Sequence, residues 1–223
     1  MAVFEDAPFK IVGVPGSQAL ERLKELRQQG SGYPVLMGDQ KQVETVLEIM
    51  QSNETSFDQI IQQSAGLDLE NWKSTLVNSD PDYYHAQKGT WPLIHKPNNA
   101  VTGFRDVLTQ KPYATVYIGI IPVKHSWEVP AYLKMGAWND CPEAQVHTAL
   151  FKKWEEQYGA KVVTVGDIVE FEVEKPPQTK AEAETLAMEQ FIYCPDNVLQ
   201  GTGDLAVLAD ALLGAKVWYF WWD

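Results

Sequence analysis

Apolar and polar positions along the first fifty residues follow two different periods. The run "FKIVGV" at 9–14 is short and mostly apolar, as a strand requires. After it the period changes. Leu20, Leu23 and Leu26 recur at helical spacing, with Ser17 placed as the N-cap and Gly30 as the stop. "YPVLMG" at 33–38 reads as a second strand. Asp39 and Gln42 form a capping box before a helix in which Val43, Val46, Leu47 and Met50 share one stripe. Residues 9–51 therefore predict strand, helix, strand, helix, an order that favours parallel strands covered by helices.

Residues 52–74 are polar and helical in part. The span 78–103 holds three prolines and several turn formers, and reads as a long loop with exposed aromatics. Loops of this length inside a compact chain often carry function. "YATVYIGIIPV" at 113–123 is apolar on both faces, which places it centrally under cover from both sides. Its Gly119 marks a bulge or a close backbone approach. "EVPAYLKMG" at 128–136 reads as another strand. A helix follows from the Cys141 region, then strands "AKVVTV" and "IVEFEV". In the second, Val169, Phe171 and Val173 alternate with Glu170, Glu172 and Glu174, which predicts one wet face. Helices "TKAEAETLAMEQFIY" and "GDLAVLADALLG" precede a final strand, "KVWYFWWD". The fold class is α/β, a mixed sheet with helices packed on both faces. The natural cut lies near residue 110. Residues 1–110 then form a strand–helix–strand–helix region plus the long loop, and 111–223 a C-terminal domain, the two being compatible with one continuous unit.

Composition narrows the function. The chain has 223 residues, 45% hydrophobic and 11% aromatic, enough for a substantial core. The net charge of −12 is spread: 14 acids and 9 bases in residues 1–110 give −5, and 16 acids and 9 bases in 111–223 give −7. With all three arginines, Arg22, Arg27 and Arg105, in the first segment, no basic face is available for nucleic acid. The start "MAVFEDAPFKIVGV" has no basic region followed by an apolar run, and no apolar stretch reaches the length of a membrane span. Two cysteines make no disulfide framework, so the expectation is a cytoplasmic protein with reduced thiols. Nothing here sets an oligomeric state.

Candidate chemistry gathers around "GAWNDCP" at 136–142. Trp138, Asn139, Asp140 and Cys141 are consecutive, and His147 follows six residues after the thiol. Asp140 and Glu143 also make a capping box with Pro142 in the first turn, which gives Asp140 a sufficient structural role. His147 lies in a row with Phe151, Trp154 and Tyr158, which suits a packed, hydrogen-bonded ring as well as a general base or ligand. "CPE" at Cys141 recurs as "CPD" at Cys194. If the sheet brings these ends together, Cys141, His147, Cys194 and Asp196 line one pocket, and a thiolate there has a lowered pKa. The competing reading is two small buried hydrophobes. Without a CxxC pair, and with His85, His95, His125 and His147 scattered, no metal set is read. No dinucleotide, P-loop, GxSxG or HExxH pattern is present, so no cofactor is expected. In "WYFWWD" both faces are aromatic. It is either a strand buried between helices or a wall of a ligand or partner site formed by Trp221, Trp222 and Asp223.

Taken together, "VPAYLKMGAWNDCP", "KKWEEQYGAKVV", "PPQTKAEAETLAMEQFIYCPDNVLQG" and "WYFWWD" resemble a bacterial family catalogued as domain of unknown function 4253, over residues 111–223. The resemblance implies a recurring C-terminal unit that ends at Asp223, and it brings no activity, cofactor or catalytic residue. Two functions stay open. One is a non-enzymatic interaction protein, acidic, aromatic-rich and immunity-like, that holds a protein partner. The other is a small-molecule binder or enzyme with its site around Cys141, His147 and Cys194.

Overall fold

The computed structural model describes residues 4–85 and 88–223. Its strands are β1 (Lys10–Val14), β2 (Tyr33–Leu36), β3 (Val116–Ile121), β4 (Lys161–Thr164), β5 (Ile168–Glu172) and β6 (Val217–Trp221). They build one sheet in the order β1-β3-β2-β4-β5-β6. The parallel pairing expected within residues 9–51 is not made. β3 lies between β1 and β2 and is antiparallel to both, so these two strands point the same way without touching. β3 is apolar on both faces and is an interior strand, but it lies one strand in from the edge rather than at the centre, which β2 and β4 occupy. A Cβ on Gly119 would lie 2.6 Å from the Met37 sulfur, so glycine there allows a close approach. β2 and β4 form a parallel pair, and β5 is antiparallel to both β4 and β6. β1, β2, β4 and β6 therefore end at the same edge of the sheet.

Helices cover both faces. α1 (Ala19–Gln29) lays Leu23 and Leu26 on Leu36, Val116, Ile118 and Val163. It is preceded by a 3₁₀ turn at Gly16–Gln18, so Ser17 sits inside that turn and caps nothing, while Gly30 closes the helix in the left-handed conformation. α2 (Gln40–Ser52) has half of the expected capping box: the Asp39 carboxylate accepts the Gln42 N–H at 3.1 Å, while the Gln42 side chain donates to the Tyr113 hydroxyl. The span 52–85 is more helical than its polarity suggests. α3 (Phe57–Ala65), α4 (Leu69–Ser79) and α5 (Pro81–His85) fill it. Residues 86 and 87 of the expected loop lie outside the described residues, and 88–103 has no regular element.

The face opposite α1 carries α7 (Ala144–Tyr158) and α8 (Lys180–Tyr193), with α9 (Leu205–Leu212) beside α8 and α2 to α5 packed on the same side. Trp154 of α7 stacks on Phe220 of β6 at 5.6 Å and meets Trp218 edge-on at 5.7 Å. Burial of such rings is worth about 2–3 kcal/mol each, which accounts for the face made by Trp218, Phe220 and Trp222; Tyr219 and Trp221 on the other face are half-buried.

Two more expectations are corrected. Residues 128–136 form no strand. α6 (Val129–Leu133) occupies them, with Pro130 in its first turn. Glu170 is not on a wet face. The segment 101–104 lies over it, and its fully buried carboxylate accepts from the Thr102 N–H and hydroxyl, the Gly103 N–H and the Thr164 hydroxyl at 2.6–2.9 Å. At Gly103 a Cβ would come within 2.2 Å of the Thr164 side chain, so only glycine lets this strap lie flat.

Candidate functional site

The "GAWNDCP" turn is a folded-back knot. Gly136, Ala137 and Asn139 all have positive φ, and the Ala137 N–H donates to the carbonyls of Cys141 and Pro142 at 3.2 Å. A Cβ on Gly136 would overlap the Pro142 carbonyl at 1.7 Å. Left-handed Ala137 stores strain that the surrounding contacts must hold. Helix α7 starts after this knot, with Glu143 as its N-cap residue. The expected Asp140–Glu143 capping box is therefore absent, and Asp140 stands exposed at a cleft.

The knot places Cys141 over the first turn of α7. Its sulfur is 3.3 Å from His147 Nε2, and His147 Nδ1 is 2.7 Å from the Tyr193 hydroxyl. His147 is 0% exposed and Cys141 5%. Burial lowers the imidazole from 6.5 to about 3, opposed by the nearby Pro142 carbonyl. Burial also pushes the Cys141 thiol up, with Cys194 adding to it, and raises Cys194 to about 12. The lowered thiol pKa expected for this pair is thus reversed: both groups are held neutral.

Cys194, at the C-terminal end of α8, donates its S–H to the Trp221 carbonyl at 2.9 Å. Asp196 binds the chain end, accepting the Asp223 N–H at 3.0 Å and the Gln200 amide at 2.9 Å. The structure therefore brings Cys141 and His147 together and gives Cys194 and Asp196 separate partners around the end of β6. Trp221 is half-buried, its ring 5.6 Å from that of Tyr219, while Trp222 packs edge-on against His147 at 5.7 Å. Among the described residues no group of three or more His, Cys, Asp or Glu is arranged to hold a metal ion.

Cys141 also lines a cleft of about 730 Å³ between the knot and helices α4 and α5. Trp72, Tyr83 and Tyr84 are on its wall, with Asp80, Asp140 and Glu143 around them. Burial raises the Tyr83 phenol, and Tyr84 with the carboxylates of Asp140, Asp196 and Asp80 raises it further. Among the described residues, the lining of this cleft contains no Lys, Arg or His.

Reading the sequence missed Tyr193, Trp72, Asp80 and the Tyr83–Tyr84 pair. Tyr193 had a signal: it stands seven residues after Leu186 and so shares its face on α8. "DPDYYH" had one too, an Asp followed by Pro at the first position of a short helix.

Residues 117–223 match the family described as Domain of unknown function (DUF4253), the same family the motifs resemble. The match begins in β3 and includes Cys141, His147, Tyr193 and Trp222. No curated protein and no solved structure matches the chain. Among the described residues no helix is long and apolar enough to cross a membrane.

Proposed function

We propose that this chain is a non-enzymatic binding protein whose cleft over Cys141 receives a cationic group of a partner protein, a Lys or Arg side chain. One observation carries the reading: three carboxylates and three aromatic rings line the cleft, and among the described residues its lining holds no base. Carboxylates at a rim attract a cation, and the faces of Trp and Tyr stabilise it once it sheds water. The net charge of −12 supplies long-range attraction for a basic partner. Two free, buried thiols support a reducing, cytoplasmic setting.

The test is calorimetric titration with a short Lys- and Arg-rich peptide. Replacing Asp80 and Asp140 together by Asn should weaken binding about fivefold, and 0.5 M salt should weaken it further. A charge-matched control, Glu21→Gln with Glu44→Gln on α1 and α2, should change affinity less than about twofold. Equal losses in both double variants would assign the binding to overall charge and sink the cleft.

The Cys141–His147 contact supports a second reading, thiol chemistry on a small molecule in the same cleft. It requires a thiolate, and burial of both groups works against that.

A further inference from the structure

A second cavity, of different chemistry, lies beyond Trp222. The His147 ring packs edge-on against Trp222 at 5.7 Å, and Trp222 lines a pocket of about 340 Å³ with Val46, Ile49, Leu133, Met135 and Trp138. The exposed members of that lining are Thr45 and Asp167, which mark its mouth.

Its place follows from the topology. β2 and β4 are parallel neighbours whose chains leave in opposite directions, toward β3 on one side and β5 on the other. Such a divergence opens a crevice beyond the carboxyl ends of the strands, where ligands of open α/β sheets bind. Val165–Asp167 follow β4 and Trp222 follows β6, so the pocket occupies this crevice, with α2 as its far wall.

One residue of the lining carries a donor without a partner. Trp222 is 8% exposed, and its indole Nε1 is buried and makes no hydrogen bond among the described residues, so the ring must turn toward the pocket to present it. A buried donor left unpaired costs about 1–3 kcal/mol, so native structures normally supply an acceptor.

We propose that this pocket binds a small, uncharged aromatic molecule whose carbonyl oxygen accepts the Trp222 N–H. The flat faces of Trp138 and Trp222 and the thioether of Met135 favour a planar ring. The volume lies near the lower end for ligand sites, which limits the molecule to one or two rings. Asp167 at the mouth repels an anion, and the aliphatic wall gives a cation nothing in return for its water. This site is separate from the acidic cleft and does not depend on that reading.

Acetophenone and ethylbenzene test it, because they share a skeleton and differ by the carbonyl. Affinity is read by ligand-observed NMR, and the Trp222 indole N–H by its ¹⁵N-correlated signal, assigned by its loss in Trp222→Phe. Acetophenone should bind the native chain about fivefold more tightly than ethylbenzene, the worth of one neutral hydrogen bond. It should also move the Trp222 signal, whereas ethylbenzene should not shift it downfield. Trp222→Phe should bring the two affinities together. Ile49→Trp, a change at the half-buried rim that the fold tolerates more readily, should block both ligands. The double Asp80→Asn, Asp140→Asn variant should leave acetophenone binding unchanged. The proposal is overturned if neither compound binds, if ethylbenzene binds as tightly as acetophenone to the native chain, or if Ile49→Trp leaves both affinities intact.

Discussion

Two cavities lie on either side of the Cys141–His147–Trp222 contacts, and they have opposite character. On the Cys141 side, Asp80, Asp140 and Glu143 stand over tyrosine rings. On the Trp222 side, Val46, Ile49, Leu133 and Met135 make a dry wall. The partition itself, from Cys141 through His147 to Trp222, lies within the family match at 117–223. The facing walls do so only in part. Trp72, Asp80, Tyr83 and Tyr84 come from α4, α5 and the residue between them, and Thr45, Val46 and Ile49 from α2, all in the first half. The matched half supplies the rest of both linings, Asp140 and Glu143 on one side and Leu133, Met135, Trp138 and Asp167 on the other, so each cavity is completed by both halves. The difference also shows why His147 is neutral. A ring closed off on both sides has no water to hold a proton's charge.

His147→Ala breaks the comparison most directly. It removes a fully buried ring, leaves the Tyr193 hydroxyl without its partner, and opens the wall between the cavities. The cavity and the orphaned hydroxyl together should cost about 3–4 kcal/mol, read as a lower urea midpoint at pH 7.5. A loss below about 1 kcal/mol would mean that the ring holds nothing apart.

Much of the fold was legible because local chemistry and global topology agreed. Asp39 and Gly30 cap where the sequence places them, and Trp218, Phe220 and Trp222 of "WYFWW" are buried on the strength of their area, while Tyr219 and Trp221 stay half-buried. The failures have physical causes. "EVPAYLKMG" alternates like a strand, but Val129, Pro130, Ala131 and Leu133 are all buried in a helix of five residues, too short and too enclosed for a helical period to show. "IVEFEV" alternates correctly, but the strap at 101–104 covers the face that alternation leaves polar. The site was half legible. The six-residue spacing of Cys141 and His147 predicts no contact on a helix. They meet because the left-handed turn at 136–139 folds the thiol back before α7 begins. The walls from α4 and α5 were hidden by prolines that suggested a loop, although Pro81 opens a helical turn.

Acid should sharpen the comparison without a mutation. The buried ring stays neutral down to about pH 3, while the unfolded chain takes up a proton near 6.5. The stability this ring contributes is therefore complete above pH 6.5 and is lost as pH falls toward 3. The loss should be about 2 kcal/mol by pH 5. Cys141 and Tyr193, the titratable groups against the ring, stay protonated across this range, their pKa values raised by burial. Glu189 adds a separate loss at lower pH. Burial alone would raise its carboxyl, but hydrogen bonds from Lys153, Lys73 and Trp154 hold it below the usual 4.5. In urea titrations, His147→Gln should flatten the slope between pH 7 and 5 and keep the fall below pH 4.5. A variant with the native slope above pH 5 would place the titration elsewhere.

Cys141→Ala should have the smallest effect, and it separates the two readings of the cleft. The thiol is a weak donor, so its contact with Nε2 is worth little beyond packing. Its removal should cost about 1 kcal/mol of stability, as for a small buried side chain that leaves little space behind. It should change the affinity of the basic peptide less than about twofold, because the charge at the rim is untouched. A thiol that reacts with bound molecules predicts the same stability cost but abolished ligand turnover. Loss of turnover of any small molecule in Cys141→Ala, with the fold and the peptide affinity intact, would move the cleft from binding to chemistry. It would also require that an occupant lower the thiol's pKa by bringing its own positive charge beside the sulfur, which is the group the carboxylates at the rim are placed to admit.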